Sequence, residues 1–273
     1  MFTRPKIMGI LNVTPDSFSD GGQFDTAELA VRQALRLIDD GADIIDIGGE
    51  STRPGAEPVA LHEEIRRTIP VIKAIRAATR DHDEDVLISI DTRRAEIAER
   101  AIFAGADIWN DVSALGFEES SMEIAADLAC SVILMHAQGA PEDMQDNPSY
   151  EDAVEDILEW LKRRVDDVTA AGVDSAMITL DPGIGFGKRQ DDNLAILRHL
   201  DRFKALGFPL LMGASRKSFI GRIDGSNADD RIGGSVAAAL WSAQKGADIL
   251  RVHDVSETLQ AVKVWEAMAN GGT

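Results

Sequence analysis

Short apolar runs rich in β-branched residues alternate along the chain with longer segments whose apolar residues recur every three or four positions. The short runs predict strands at 7–12, 44–48, 87–91, 108–112, 132–135, 178–181, 210–213 and 249–252. The longer ones predict helices near 26–40, 61–80, 94–104, 122–128, 150–171, 191–206, 230–245 and 256–269. Nearly all-apolar strands separated by amphipathic helices predict a parallel sheet covered by helices. Eight such units predict an α/β protein with one (β/α)8 TIM barrel over residues 1–273, and no linker or composition shift divides it. A doubly wound open sheet is the alternative. Gly-Ala-Asp-Ile recurs at Gly41, Gly105 and Gly246, each time between a helical stretch and a strand. The Gly suits a helix C-terminus and the Asp a short turn.

Composition narrows the partners. Asp and Glu number 47 against 28 Lys and Arg, a formal net charge of −19 that opposes binding to nucleic acid or an anionic membrane. The single Cys130 has no partner for an internal disulfide, so a reducing, cytoplasmic setting is expected. No apolar run approaches the ~18–20 residues of a membrane span. The opening MFTRPKIMGILNV lacks a signal-peptide pattern and reads as a strand. Loops 14–24 and 49–58 are long for β–α turns and are candidate functional loops.

The strands end in residues that stability alone would not choose. They are Asn12, Asp91-Thr92, Asn110-Asp111, Met135-His136, Asp181-Pro182-Gly183, Gly213 before Ser215-Arg216-Lys217-Ser218, and Arg251 with His253. Side-chain alternation turns Ser89, Asp91, Asn110 and Asp181 toward the barrel axis and sets Arg251 and His253 on one face. Any one Asp or Asn here could be a cap or turn residue. Their convergence on the C-terminal rim, where barrel enzymes carry their chemistry, points to a site.

In order along the chain, these residues resemble the motifs of the dihydropteroate synthase family. The two signature loops correspond to the run from Met8 to Gly22 and to Asp46-Ile-Gly-Gly-Glu-Ser-Thr-Arg-Pro-Gly55. Asp91-Thr92, Asn110-Asp111, Met135-His136, the run Asp181 to Lys188, Ser215-Arg-Lys-Ser218 and Arg251-Val-His-Asp254 complete the set. The resemblance implies an enzyme of folate synthesis that condenses 6-hydroxymethyl-7,8-dihydropterin pyrophosphate with p-aminobenzoate. It also implies Mg²⁺ and inhibition by sulfonamides.

By resemblance, Asp181, Asn110 and Lys217 hold the polar edge of the pterin, with Asp91 close by. Met135, Phe186 and Gly213 wall it in, and Arg251 offers a flat face. Asn12, Arg251 and His253 hold the pyrophosphate, with Asn12 as the protein ligand of Mg²⁺. Phe18, Thr52, Arg53, Pro54, Phe186 and Ser218 shape the p-aminobenzoate site. Asp91, Lys217 and Arg251 are the catalytic residues. The chain departs from the family pattern at Ile184, where Phe is frequent, at Arg189 after Lys188, and at Ala114, where Gly is common.

The chemistry suits these residue types. A carboxylate such as Asp181 accepts from a donor edge of amino and ring N–H groups. Asp91 places negative charge near a methylene that becomes cationic as pyrophosphate leaves. No nucleophilic triad is required, because the aromatic amine is the nucleophile. Cys130 reads as core, and His62, His82 and His199 as surface residues. His136 is open between structural and site-lining roles. The Gly185-Phe-Gly-Lys188 turn resembles a phosphate loop only superficially. Two other readings are a methyltetrahydrofolate–corrinoid methyltransferase and a non-catalytic pterin-binding paralogue. The first has no use for the Asn12 loop, the Ser-Arg-Lys-Ser segment or the Arg251/His253 pair; the second predicts erosion of residues that are intact. Finally, Val236 to Ala243 is small and apolar on almost every side, so this helix needs a cover, and the family implies a homodimer through the last helices. Trp241 and Trp265 are candidate anchors, either at that contact or in the subunit core.

Overall fold

The computed structural model describes residues 4–14, 23–51, 58–80, 86–139, 144 and 148–270. Its strands are β1 (Lys6–Asn12), β2 (Ile44–Gly48), β3 (Leu87–Asp91), β4 (Ile108–Asp111), β5 (Ser131–Met135), β6 (Ile178–Asp181), β7 (Leu211–Met212) and β8 (Ile249–Val252). All pair in parallel, in the order β6-β5-β4-β3-β2-β1-β8-β7. A bridge between Leu180 and Leu210 brings β6 to β7 and closes the ring. The helices are α1 (Gln23–Asp39), α2 (Leu61–Thr79), α3 (Ala95–Ala104), α4 (Ser121–Leu128), α5 (Ala153–Ala170), α6 (Gln190–Arg198), α7 (Leu200–Lys204), α8 (Ser218–Asp224), α9 (Ile232–Gln244) and α10 (Val255–Ala269). The chain is therefore the (β/α)8 barrel that its periodicity predicts.

Alternation along the strands makes two cores. Met8, Ile44, Ile108, Ile133, Leu211 and Ile249 point inward and plug the barrel. Outward residues such as Ile45, Ile47, Ile88, Ile90, Val132 and Leu134 pack under the helices. Each such side chain, fully buried, contributes roughly 1.5–3 kcal/mol.

The three Gly-Ala-Asp-Ile segments do more than turn. Gly41, Gly105 and Gly246 take the left-handed conformation at φ 94, 112 and 96°, where L-residues are strained. Each following Asp then accepts a backbone N–H from the neighbouring strand or its approach: Asp43 from Ile7 at 2.6 Å, Asp107 from Ile88 at 2.8 Å and Asp248 from Leu210 at 2.7 Å. Arg4, Arg76 and Lys204 pair with the same carboxylates. The N-terminal rim is thus a repeated structural staple, and the plug above it leaves the opposite mouth for chemistry.

Two helical features differ from the sequence expectation. The predicted helix 191–206 breaks at His199, whose φ of −111° and ψ of 26° separate α6 from α7. No Gly or Pro marks the break; it lets Leu200 and Phe203 bury. Helix α8 was not expected, because seven residues are too few to display a helical period. On α9, Ser235, Ala239, Ser242 and Ala243 are buried, whereas Gly233, Ala237 and Trp241 are exposed. Trp265 is half-buried against the subunit core, and Trp241 stays 44% exposed with its Nε1 donating to the Leu197 carbonyl at 2.7 Å.

Candidate active site

The parallel register carries the polar strand ends to one mouth. Gly48 pairs with Asn12 and with Asp91, Asp91 with Asn110, and Met135 with Asp181. Asp91, Asn110, Met135 and Asp181 are buried, as expected for inward positions. Asn12 is half-buried at the tip of β1, and Arg251 rises from β8. Gly213 follows β7 beside Arg251: a Cβ there would lie in ordinary contact, 3.9 Å from the arginine's Cβ and Cδ. Phe18, Thr52, Arg53 and Pro54 lie outside the described residues.

Arg251 sits at the centre of the charge network. Its Nε donates to Asp46 at 2.6 Å and its Nη2 to Asp91, also at 2.6 Å. Asn110 donates from Nδ2 to Asp46 at 3.2 Å. Burial pushes the Asp91 carboxyl up to about 7; Arg251 opposes the rise, while Asp46 and Asp111 add to it. Burial also works against the Arg251 charge, but Asp46 and Asp91 outweigh it and hold the guanidinium firmly protonated. One cation facing two carboxylates leaves surplus negative charge in the mouth.

Asp181 is positioned by its own turn. Its Oδ1 accepts from the Gly183 N–H at 2.7 Å, and burial raises its carboxyl while Lys217 opposes the rise. Burial pushes the Lys217 ammonium down to about 8, against the pull of Asp181. Its Nζ donates to the Ile184 carbonyl and lies 4.4 Å from the centre of the Phe186 ring. A cavity of about 320 Å³ borders Met135 and Phe186, but its other lining residues, among them Arg93, Phe117 and Trp160, include neither Asp181, Lys217 nor Arg251, so it lies beside the polar cluster.

Lys188 closes the same loop from below. It is buried, and its three N–H groups meet His136 Nδ1 at 3.0 Å, the His136 carbonyl at 3.1 Å and the Phe186 carbonyl at 2.9 Å. Burial pushes Lys188 down to about 7. Burial and Lys188 together push His136 down to about 3, so its imidazole is neutral and its role structural. The ring also meets Trp160 edge-on at 4.9 Å. Lys188 therefore faces the protein, not a phosphate. A side chain at Gly183, where φ is 71°, would collide with the His136 carbonyl. Ile184, one of the departures from the family pattern, is a fully buried member of this loop.

His253 stands beside Ser215, whose Oγ is 3.0 Å from its Nδ1 and accepts its backbone N–H at 3.2 Å. Ser218 is exposed at the start of α8. Cys130 is buried near the start of β5, at the opposite rim, where burial pushes its thiol up to about 11. It is a core residue.

Residues 8–253 match the model of the pterin binding enzyme family. A dihydropteroate synthase of Synechocystis is 48% identical over 266 residues, covering 97% of this chain and 90% of the relative. The chain belongs to the dihydropteroate synthase family. Its barrel superposes on the Xanthomonas albilineans dihydropteroate synthase with 4-aminobenzoic acid with a TM-score of 0.90, at 47% identity, covering 97% of this chain and 93% of that one. The Yersinia pestis dihydropteroate synthase in a sulfonamide drug complex gives a TM-score of 0.90 at 43% identity, covering 98% and 95%. As a dihydropteroate synthase the chain is a transferase of folate biosynthesis, which excludes the corrinoid methyltransferase reading.

Two residues of this dihydropteroate synthase mouth stand in its sequence motifs but carry no site role in the sequence reading. Asp46 lies in the middle of an apolar strand, Ile44-Ile45-Asp46-Ile47-Gly48, and is fully buried. The same alternation that found Ser89 and Asp91 would have placed it inward. Lys188 has no such signal, because only the folded loop brings three acceptors to its ammonium.

Proposed function

We propose that this mouth, within one barrel domain over 1–273, joins the pterin and p-aminobenzoate through a cation-like methylene. The amine nitrogen of p-aminobenzoate bonds to the pterin methylene carbon. The carbon–oxygen bond to pyrophosphate breaks with its electron pair on oxygen, and the amine loses a proton. The observation that carries this reading is the placing of buried, acceptor-only Asp181 and cationic Arg251 at one rim, with two further carboxylates, Asp46 and Asp91, bonded to Arg251.

Asp181, Asn110 and Lys217 bind the pterin edge between Met135, Phe186 and Gly213. With its amide nitrogen turned to Asp46, Asn110 offers its carbonyl oxygen. Asp91, with its charge, favours the methylene as it becomes positive. Arg251, His253 and Asn12 hold the pyrophosphate. Phe186 and Ser218, with Phe18, Thr52, Arg53 and Pro54 from the two long loops, form the p-aminobenzoate site, where sulfonamides compete.

Mg²⁺ fits this donor set. Gly48 adjoins two side-chain oxygens: a Cβ there would be 3.7 Å from Asn12 Oδ1 and 3.9 Å from Asp91 Oδ2. Among the described residues no group of three or more His, Cys, Asp and Glu could hold a metal alone. An ion held by the Asn12 oxygen would complete its shell with phosphate oxygens and water, as Mg²⁺ does. When bound it would offset charge on the leaving pyrophosphate.

A homodimer belongs to the same proposal. Ala237 and Trp241 on α9 and Val264 and Met268 on α10 are exposed on adjacent helices, an apolar surface that a second copy would cover. A cytoplasmic setting suits the single buried thiol. No described helix is long and apolar enough to cross a membrane.

The test is to incubate the purified protein with the pterin pyrophosphate, p-aminobenzoate and Mg²⁺. Equimolar 7,8-dihydropteroate and pyrophosphate are expected. Pterin binding without either product would leave the non-catalytic reading.

A further inference from the structure

Asp46 lies in the mouth, and the proposed reaction gives it no role. Asp46 is fully buried on β2, yet its carboxylate serves two residues assigned to different halves of the substrate. Oδ2 accepts Arg251 Nε at 2.6 Å and Asn110 Nδ2 at 3.2 Å, and Oδ1 lies 3.4 Å from the same Nδ2. Arg251 serves the pyrophosphate subsite as well as flanking the pterin ring, and Asn110 holds the pterin's polar edge.

The geometry at Arg251 explains how such an anchor would act. Nε adjoins the aliphatic stem, and Nη2 lies on the same long edge of the planar guanidinium. With Nε bonded to Asp46 and Nη2 to Asp91, that edge is fixed in two directions. The remaining edge, formed by Nη1 and the second N–H of Nη2, is the one that matches two phosphate oxygens. The flexible arginine is thereby pre-set before ligand arrives. The same carboxylate sets the amide of Asn110 so that its carbonyl oxygen is turned toward donors.

We propose that Asp46 is a positioning residue that fixes the pyrophosphate subsite relative to the pterin subsite through its shared bonds to Arg251 and Asn110. The proposal rests on the synthase reading. Its chemical logic is that of two linked ligands: the pterin and the pyrophosphate are one molecule, so binding of both ends gains only when the two subsites stand at the right separation. A carboxylate bonded to one residue of each subsite holds that separation, while its neutral amide analogue would lose an acceptor.

The experiment compares wild type with Asp46→Asn and Asp46→Glu in three measurements. Calorimetry gives the affinity for the pterin pyrophosphate, the dephosphorylated pterin and inorganic pyrophosphate; turnover is followed by pyrophosphate release; melting reports the fold. In Asp46→Asn, the preference for the pterin pyrophosphate over the dephosphorylated pterin should fall at least tenfold. The affinity for each half alone should change less than threefold, and kcat should fall more than KM rises. Asp46→Glu, which retains the charge, should recover part of kcat. A folded Asp46→Asn protein with wild-type preference and kcat would overturn the proposal. So would equal losses for every ligand, which mark a merely structural role.

Should both variants fail to fold, the wild type itself decides. The Arg251 Nε–H, seen by nitrogen-15 spectroscopy, should be protected from solvent exchange both free and with inorganic pyrophosphate bound. Rapid exchange in either state would overturn the assignment. A wild-type protein without turnover would refute the synthase reading instead, so the two failures are distinguishable.

Discussion

Replacing Asp91 by Asn should separate catalysis from stability. Burial lifts this carboxyl from 3.8 to about 7 despite the adjacent Arg251. A carboxyl raised on folding holds its proton more tightly in the folded chain. Its contribution is therefore most favourable in acid, declines as pH rises from about 4, and levels off above about 7. At about 1.4 kcal/mol for every tenfold, holding the charged form costs on the order of 4 kcal/mol above neutrality. That cost is already net of the attraction to Arg251, so the neutral amide of Asn removes it without a separate loss for the ion pair. Between pH 5 and pH 8 the stability of Asp91→Asn relative to wild type should improve by roughly 2–3 kcal/mol, read from urea unfolding at both values. Over the same range wild-type kcat/KM should rise with an acid limb near pH 7, while the variant lacks that limb and turns over at least about a hundredfold more slowly at pH 8. An unchanged acid limb in the variant, or a stability difference independent of pH, would refute the reasoning.

Arg251→Ala and His253→Ala should weaken the pterin pyrophosphate at least tenfold more than the dephosphorylated pterin in calorimetry; equal losses would remove both from the anion clamp. Asp107→Ala strips the Ile88 N–H of its acceptor at the structural rim, so urea unfolding should report a loss of about 1–2 kcal/mol with kcat within twofold of wild type. Ala237→Glu places charge on the exposed apolar face of α9 and should shift sedimentation from dimer toward the 29.5 kDa monomer without unfolding it. Sulfonamide inhibition should be relieved by added p-aminobenzoate, and inhibition insensitive to it would detach these drugs from that site.

The barrel was legible because two periods alternate cleanly: β-branched runs of four to six residues, and helices with one apolar face. The inward set was legible for the same reason, and Ser89, Asp91, Asn110 and Asp181 lie where strand alternation puts them. Asp46 obeys that rule too, but mid-strand it was passed over in favour of strand ends. Lys188 and His136 were not legible. Their bond joins residues 52 positions apart across two loops, and no local pattern encodes it. The break at His199 and the short α8 likewise depend on which apolar side chains tertiary packing buries, not on caps or breakers written in the sequence. At the N-terminal rim the Gly-Ala-Asp-Ile repeat announced a turn, while the bond from each Asp to the neighbouring strand became visible only in the folded sheet.

The most direct test of the site is a crystal structure of the protein with the pterin pyrophosphate and a sulfonamide bound together. The account predicts the pterin edge on Asp181, Asn110 and Lys217, the ring between Arg251 and the walls of Met135 and Phe186, and the phosphate oxygens on Arg251 and His253. Pterin bound away from Asp181, or phosphates that leave Arg251 untouched, would contradict it.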